Sequence, residues 1–219
     1  MKTVKFNQLM MSLMALFVLV NTQLTVAGDG PGKSEKAAPK ATELKVDASK
    51  SLLNWKGKKV TGEHVGTVKV SKGVLTVEGN KLVGGSFDID MKSIVNTDLT
   101  DESYNAKLIG HLKSDDFFSV EKNPVSTFKI TKVAPIAGAK AGEPNYTITG
   151  DLTIKGTTNP LTFPATVKLD GNKADVTAKL TIDRTKYNIK YGSKNFFEGL
   201  GDKAIHDDFD IDLSLVAGK

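Results

Sequence analysis

The sequence predicts an all-β domain of eight antiparallel, amphipathic strands. Three observations carry this. From residue 50 onward apolar residues alternate with polar ones, a period of two and not the 3.6 of a helix. Nearly every link between the alternating runs is short and rich in turn residues, so consecutive strands pair antiparallel. The hydrophobic fraction of 39% over 219 residues is enough for one packed core and excludes wholesale disorder.

The strands follow in order. Residues 44–58 place Leu53 and Trp55 on one parity. In 64–77, Val68 and Val70 share a face, and Leu75 and Val77 share one after a phase slip at Gly73, which predicts a β-bulge there. In 81–91, Phe87, Ile89 and Met91 alternate with Asp88 and Asp90. Residues 125–133 carry Phe128 and Ile130, and 145–155 carry Tyr146, Ile148, Leu152 and Ile154. Residues 160–169 carry Leu161, Phe163, Ala165, Val167 and Leu169. In 174–183 the inward set is Val176, Ala178, Leu180 and Ile182, and in 206–216 it is Phe209, Ile211, Leu213 and Leu215. Glu78-Gly79-Asn80, Gly156 to Pro160 and Asp170-Gly171-Asn172 mark turns. One polar and one apolar face per strand fits a sandwich or a sheet closed on itself. Eight strands is the size at which a closed barrel holds one small ligand.

Two insertions interrupt the meander. Residues 99–119 read as helical, with Thr100 as cap, Asp101 and Glu102 in the first turn, and Tyr104, Leu108 and Leu112 one turn apart. Residues 184–205 hold Tyr187, Tyr191, Phe196 and Phe197. Long links in compact domains tend to be lids or binding loops.

The N-terminus predicts export. Lys2 and Lys5 precede an apolar run from Leu9 to Val20, and Thr25-Val26-Ala27 offers a cleavage site after Ala27. A membrane anchor is the alternative, but the run is shorter than the roughly 20 residues a span needs. Residues 1–27 are therefore read as a signal peptide, 28–42 as a disordered linker of Gly, Pro, Lys and Ala, and 43–219 as the folded domain. The expected location is periplasmic or secreted.

Composition narrows the chemistry. The chain has no cysteine, which removes disulfides, thiol nucleophiles, thiolate zinc sites and a lipid-anchoring thiol. The net charge is +5, with Arg184 as the only arginine. A specific nucleic-acid reader favours arginine for bidentate contacts, so no nucleic-acid partner is expected.

Six segments stand in order along the chain: Gly84 to Thr97 (GGSFDIDMKSIVNT), His111 to Phe118 (HLKSDDFF), Pro124 to Phe128, Gly150 to Thr158 (GDLTIKGTT), Ile182 to Thr185 and Asp207 to Ile211. Together they resemble the YceI-like family of bacterial polyisoprenoid- or lipid-binding proteins. The resemblance covers residues 44–216. It implies an eight-stranded antiparallel, lipocalin-like barrel with a short helical insertion, a long apolar cavity for an isoprenoid chain or similar amphiphile, export, and in many members a dimer. One departure stands out. Many members carry an early His-Ser element on the first strand, and the corresponding Val46 to Ser51 has no histidine, so headgroup preference is expected to differ.

Candidate site residues follow from parity and resemblance together. The expected ligand wall is Trp55, Phe87, Ile89, Phe128, Tyr146, Ile148, Phe163, Leu180 and Ile182, with Gly57, Gly85, Gly150 and Ala165 leaving space. Leu108, Leu112, Phe117 and Phe118 of the helical insertion are the candidate lid. Arg184 has two readings: it holds a ligand's polar group at the mouth, or it pairs with a local carboxylate. Such aromatics also fill solid cores, so an unfilled lumen is an expectation of the resemblance and not of the alternation.

Other chemistry is weaker. His64, His111 and His206 have no local ligand spacing for a metal. Gly85-Ser86-Phe87 lacks a nucleophile elbow, and Lys155 precedes Gly156 where a phosphate loop needs the reverse order. Asp208, Asp210 and Asp212 read as the wet face of a strand and not as a calcium loop. Lys56, Lys58 and Lys59 form a local cluster that could meet an anionic membrane surface transiently. The expected function is binding, for transport or storage, of a polyisoprenoid, isoprenoid quinone or fatty-acid-like amphiphile, with no catalytic residue, metal or cofactor besides the bound lipid. Expected partners are that lipid, a membrane surface and a second copy in a homodimer. The alternatives are an enzyme using Arg184 and His111 at the mouth, and a solid-cored structural or stress-related domain.

Overall fold

The computed structural model describes residues 40–219. The expected signal peptide and nearly all of the linker lie outside the described residues. Nine strands and one helix follow in order: β1 (Ala41–Val46), β2 (Leu52–Lys59), β3 (Gly62–Glu78), β4 (Lys81–Asn96), α1 (Glu102–Lys113), β5 (Val125–Pro135), β6 (Tyr146–Ile154), β7 (Thr157–Asp170), β8 (Lys173–Asp183) and β9 (Ile205–Gly218). β1 begins at Ala41, two residues before the expected boundary at 43.

Nine segments make eight staves. β1 and β2 lie end to end in one slot, and each pairs with both β3 and β9. The sheet closes through consecutive antiparallel pairs from β3 round to β9. The expected strand 44–58 is thus one stave with a break. The break is an Asx turn: the Asp47 carboxylate accepts from the Ser49 N–H at 3.0 Å and the Ser49 hydroxyl at 2.6 Å, and Lys50 reaches it at 3.0 Å.

The Ser49 and Lys50 bonds bring the Asp47 pKa from its usual 3.8 to about 2. A depressed folded pKa gives stability that is present above the unfolded value and lost as pH falls through the folded one. Wild-type stability should therefore fall between pH 4 and pH 2 more steeply than that of Asp47→Asn; parallel acid-unfolding curves would refute this contribution of the turn.

Bulges place the inward residues. Opposite β4, Val70 and Lys72 face the adjacent pair Ile89 and Asp88, leaving Ser71 extra. The bulge predicted at Gly73 therefore lies two residues earlier. Gly73 has a different task, because a Cβ there would fall 2.6 Å from Phe87 Cβ. A wider irregularity sits between Thr67 and Lys69. There the Ser93 hydroxyl accepts from the Lys69 N–H at 2.8 Å and donates to Asp90 O at 2.6 Å, mending the ladder. The slip turns both Met91 and Ile94 inward, and β4 runs to Asn96 where the alternation stops at 91.

The β7–β8 seam is splayed at one end. β8 pairs with β7 only from Ala165 to Asp170. Pro160 and Pro164 lie in the part of β7 that pairs with β6 but not with β8, the kind of half-open position where proline is tolerated. A 3-10 turn, Arg184–Tyr187, fills the gap, and Asn159 Nδ2 donates to Lys186 O at 2.9 Å. At the start of α1 the cap is Asp101, which accepts from the Tyr104 N–H at 3.0 Å, and not Thr100. Tyr104, expected on the apolar line of that helix, is 63% exposed.

The lumen is filled at one end and open at the other. At the filled end Leu44, Leu75, Val77, Leu82, Val167, Val176 and Leu215 are buried against one another. The open end is where β2 ends and β9 begins, between α1 and the 188–204 loop.

An apolar cavity and its mouth

Inward side chains of β2 to β9 enclose a cavity of about 290 Å³. Its floor is a row of tilted rings, Phe87–Phe128 at 5.6 Å and Phe128–Phe163 at 5.5 Å between centroids. Each expected wall and lid residue lines it except Tyr146 and Ile148: Trp55, Phe87, Ile89, Leu108, Leu112, Phe117, Phe118, Phe128, Phe163, Leu180, Ile182 and Arg184. Tyr146 and Ile148 face inward but lie past the floor. Ile148 registers with Phe163 and is 2% exposed, packed in the filled end.

Of the small residues expected to leave space, Gly57 alone lines the cavity, and a Cβ there would meet nothing within 4 Å. Gly85 is pressed on Val74 O, and Gly150 lies under the Phe128 ring, 2.5 Å from where its Cβ would stand. Ala165 is fully buried. These three serve close packing. Sequence reasoning did not name Leu53, Val68, Met91, Ile94, Leu161 or Ile205 as wall residues, although all line the cavity. Parity carried the signal for Leu53, Val68, Met91 and Leu161, whereas Ile94 lies past the slip in β4 and Ile205 precedes the alternating run of β9. Ser126 also lines it, and its hydroxyl is the buried polar side-chain atom without a partner among the described residues.

Of the four candidate lid residues, Leu108 and Leu112 lie on α1, and Phe117 and Phe118 follow it. Ser119 donates to Asp115, and Ser119 N to Ser114 O at 2.8 Å, so residues 114–120 form a tight turn that drives Phe117 and Val120 inward. Phe118 meets Phe209 edge to face at 6.4 Å. The polar residues that line the opening are Lys58, Lys59, His64, His111, His206 and Asp208.

Two of the three mouth histidines have carboxylate partners. His64 Nδ1 lies 2.8 Å from Asp98 Oδ2. Burial raises the Asp98 pKa, but hydrogen bonds from His64, the Val65 N–H and Asn96 outweigh it and leave the carboxyl below its usual value. His111 Nε2 lies 3.2 Å from Asp116 Oδ2, and its ring sits edge-on to Phe117 at 4.8 Å and to Tyr191 at 4.6 Å. That ring ties the end of α1 to the 188–204 loop. All three histidines line one cavity, yet among the described residues no three metal-ligating side chains converge.

Arg184 is buried at the end of β8, 4% exposed. Nε donates to His206 O at 3.0 Å, Nη1 to Ile189 O at 2.8 Å, and Nη2 to Ile205 O at 3.2 Å and to Asp207 Oδ1 at 3.3 Å. Burial lowers its pKa while Asp207 and Asp183 oppose the shift, and guanidinium stays charged throughout. Its guanidinium carbon is 5.9 Å from the Phe117 ring. Of its two sequence readings, the geometry carries the local pair, extended to three backbone carbonyls. Most of its donors are therefore engaged before any ligand enters.

A closed antiparallel barrel with a half-filled lumen and an apolar, one-ended cavity is the architecture of lipocalin-like binding domains. The chain belongs to the YceI-like domain family, whose model matches residues 44–217. A UPF0312 protein of Pseudomonas putida strain W619 is 28% identical over 188 residues, covering 82% of this chain and 88% of that protein. One from Pseudomonas aeruginosa strain LESB58 is 38% identical over 99 residues, covering 42% of this chain and 47% of that protein. Among solved structures, BcnA of Burkholderia cenocepacia superposes with a TM-score of 0.60 at 28% identity, over 78% of this chain and 99% of its own. A polyisoprenoid binding domain from Saccharophagus degradans gives 0.56 at 18% identity, over 82% and 99%, a likeness of fold.

Proposed function

We propose that this domain binds the apolar tail of a lipid-like amphiphile, a polyisoprenoid, isoprenoid quinone or fatty-acid-like chain, and carries or stores it outside the cytoplasm. The observation that carries the reading is the apolar cavity of about 290 Å³, floored by three phenylalanines and open at one end. That volume is at the lower edge of ordinary ligand pockets, so it suits a section of chain with the headgroup left at the mouth. Each buried CH₂ adds about 0.8 kcal/mol, and a few isoprene units therefore give tight binding with little polar contact. The binding named for the Saccharophagus degradans domain supports the reading, and the apolar run at residues 9–20 with its Thr25–Ala27 cleavage site supports export.

The test is native mass spectrometry of the purified protein, followed by organic extraction. A co-purifying mass released as one lipid class is expected, and the same spectrum reads whether the protein is a homodimer. An apo protein that takes up no added isoprenoid, quinone or fatty acid would overturn the reading. Within it, Phe118→Asp puts a charge where the lid meets the tail and should weaken tail binding at least tenfold. Unchanged affinity in a fluorescent fatty-acid titration would remove Phe118 from the lid.

A further inference from the structure

Beside the cavity, the open end carries an apolar lip that faces solvent. In the 188–204 loop Tyr191, Phe196 and Phe197 are 45%, 46% and 49% exposed, and Val60 at the β2–β3 turn is 49% exposed. The two elements adjoin, since Val60 N donates to Ala204 O at 3.1 Å. The lip is not a loose excursion. Ser193 is fully buried, and its carbonyl accepts from the N–H groups of Phe196 at 3.1 Å and Phe197 at 3.0 Å. One anchored turn thus presents both rings outward. Tyr191 packs on His111 and Phe117, which line the cavity, so the lip is continuous with the mouth.

Cations are interleaved with these rings. Lys190 Nζ lies 4.7 Å from the centre of the Phe196 ring. Lys59, Lys190 and Lys194 make no ion pair among the described residues. Two members of the cluster singled out in the sequence differ: Lys56 pairs with Glu63 at 3.1 Å and Lys58 with Asp210 at 2.9 Å. On the lip, among the described residues, the unpaired cations Lys59, Lys190, Lys194 and Lys203 outnumber the exposed carboxylates Glu198 and Asp202, so the patch is net positive.

We propose that this lip docks on an anionic lipid bilayer, with Phe196, Phe197 and Val60 entering the headgroup boundary and Lys59, Lys190 and Lys194 meeting lipid phosphates. Exposed aromatics beside lysines fit that interface, where rings settle at headgroup depth and cations are drawn to the surface potential. A second copy fits less well, because a two-fold contact sets the same patch against itself and would bring its net positive charge together. Docking here seats the cavity mouth on the membrane. In purpose the proposal rests on the carrier reading, but its test does not.

The experiment is co-sedimentation with phosphatidylglycerol-rich vesicles and with phosphatidylcholine vesicles, across a salt series. Uptake of a fluorescent fatty acid from solution is measured beside it. Wild-type protein should bind the anionic vesicles, more weakly as salt rises. Phe196→Ser with Phe197→Ser should weaken this at least tenfold, and Lys190→Gln with Lys194→Gln should weaken it and flatten the salt dependence. Both double variants should take up the fatty acid as wild type does, which also shows that they fold. Fatty-acid uptake without vesicle binding would overturn docking and leave the carrier reading. Vesicle binding without uptake would overturn the carrier reading and leave docking. Vesicle binding unchanged by both double variants, or a dimer in sedimentation velocity that either of them dissolves, would overturn the lip as a membrane surface.

Discussion

Gly57→Leu should abolish uptake of long-chain ligands while leaving the barrel at least as stable. Gly57 lies in β2, registered between His64 and Phe209, and lines the cavity. A Cβ there meets nothing within 4 Å, and its φ is not among the positive ones. A leucine side chain is therefore directed into the cavity, and its Cβ meets no neighbouring atom. Replacing glycine in a strand also removes unfolded-state freedom, roughly 0.5–1 kcal/mol in favour of folding. The added branched chain occupies volume that a tail would fill, and a cavity of about 290 Å³ has little to spare. Affinity for a fluorescent fatty acid or isoprenoid should fall at least tenfold, with the melting temperature equal or higher. Retained affinity in the stable variant would show that the ligand does not enter this space. The substitution separates a working cavity from a merely unfilled core, because it adds packing and removes space together.

The same residue shows how far the sequence could be read. Alternation gave the inward face of each stave, and turn residues gave the links. It could not give depth along the barrel, which is set by strand tilt and by register against neighbours. Tyr146 and Ile148 share their parity with Leu152 and Ile154, yet the Phe87–Phe128–Phe163 row divides them: Leu152 and Ile154 line the cavity, and the other two lie in the filled end. Gly57 and Gly150 are alike in sequence as small inward residues. One opens space, and the other lies under the Phe128 ring, because what stands opposite a glycine depends on long-range packing. The stave broken at Asp47 had the same limitation: its Asp-x-Ser turn is visible, but both halves carry strand-like alternation. The mouth was least legible. Its parts come from β2, β3, β9, α1 and the loop after β8, and no local spacing joins His64, His111 and His206 on one opening.

Arg184→Met should destabilise the protein by about 3–5 kcal/mol. Its guanidinium holds the carbonyls of Ile189, Ile205 and His206 and the carboxylate of Asp207, whose other oxygen accepts from Asn195 Nδ2 at 2.6 Å. These groups join the end of β8, the 188–204 loop and the start of β9, where β7 and β8 no longer pair. Methionine matches the apolar stem against Phe117 but supplies no donor. It leaves buried carbonyls and a partly buried carboxylate without their cation, and removing one partner of a buried pair costs about 3–5 kcal/mol. For a domain of this size that is a fall in melting temperature of roughly 10 °C. Arg184→Lys should recover little, because one ammonium cannot span three carbonyls set around a planar fork. Chemical denaturation of both variants reads the effect. A loss below about 1 kcal/mol, the range of exposed ion pairs, would mean that the loop is held otherwise. A stable Arg184→Met protein that had lost ligand affinity would return Arg184 to the role of headgroup holder, the alternative that its hydrogen bonds argue against.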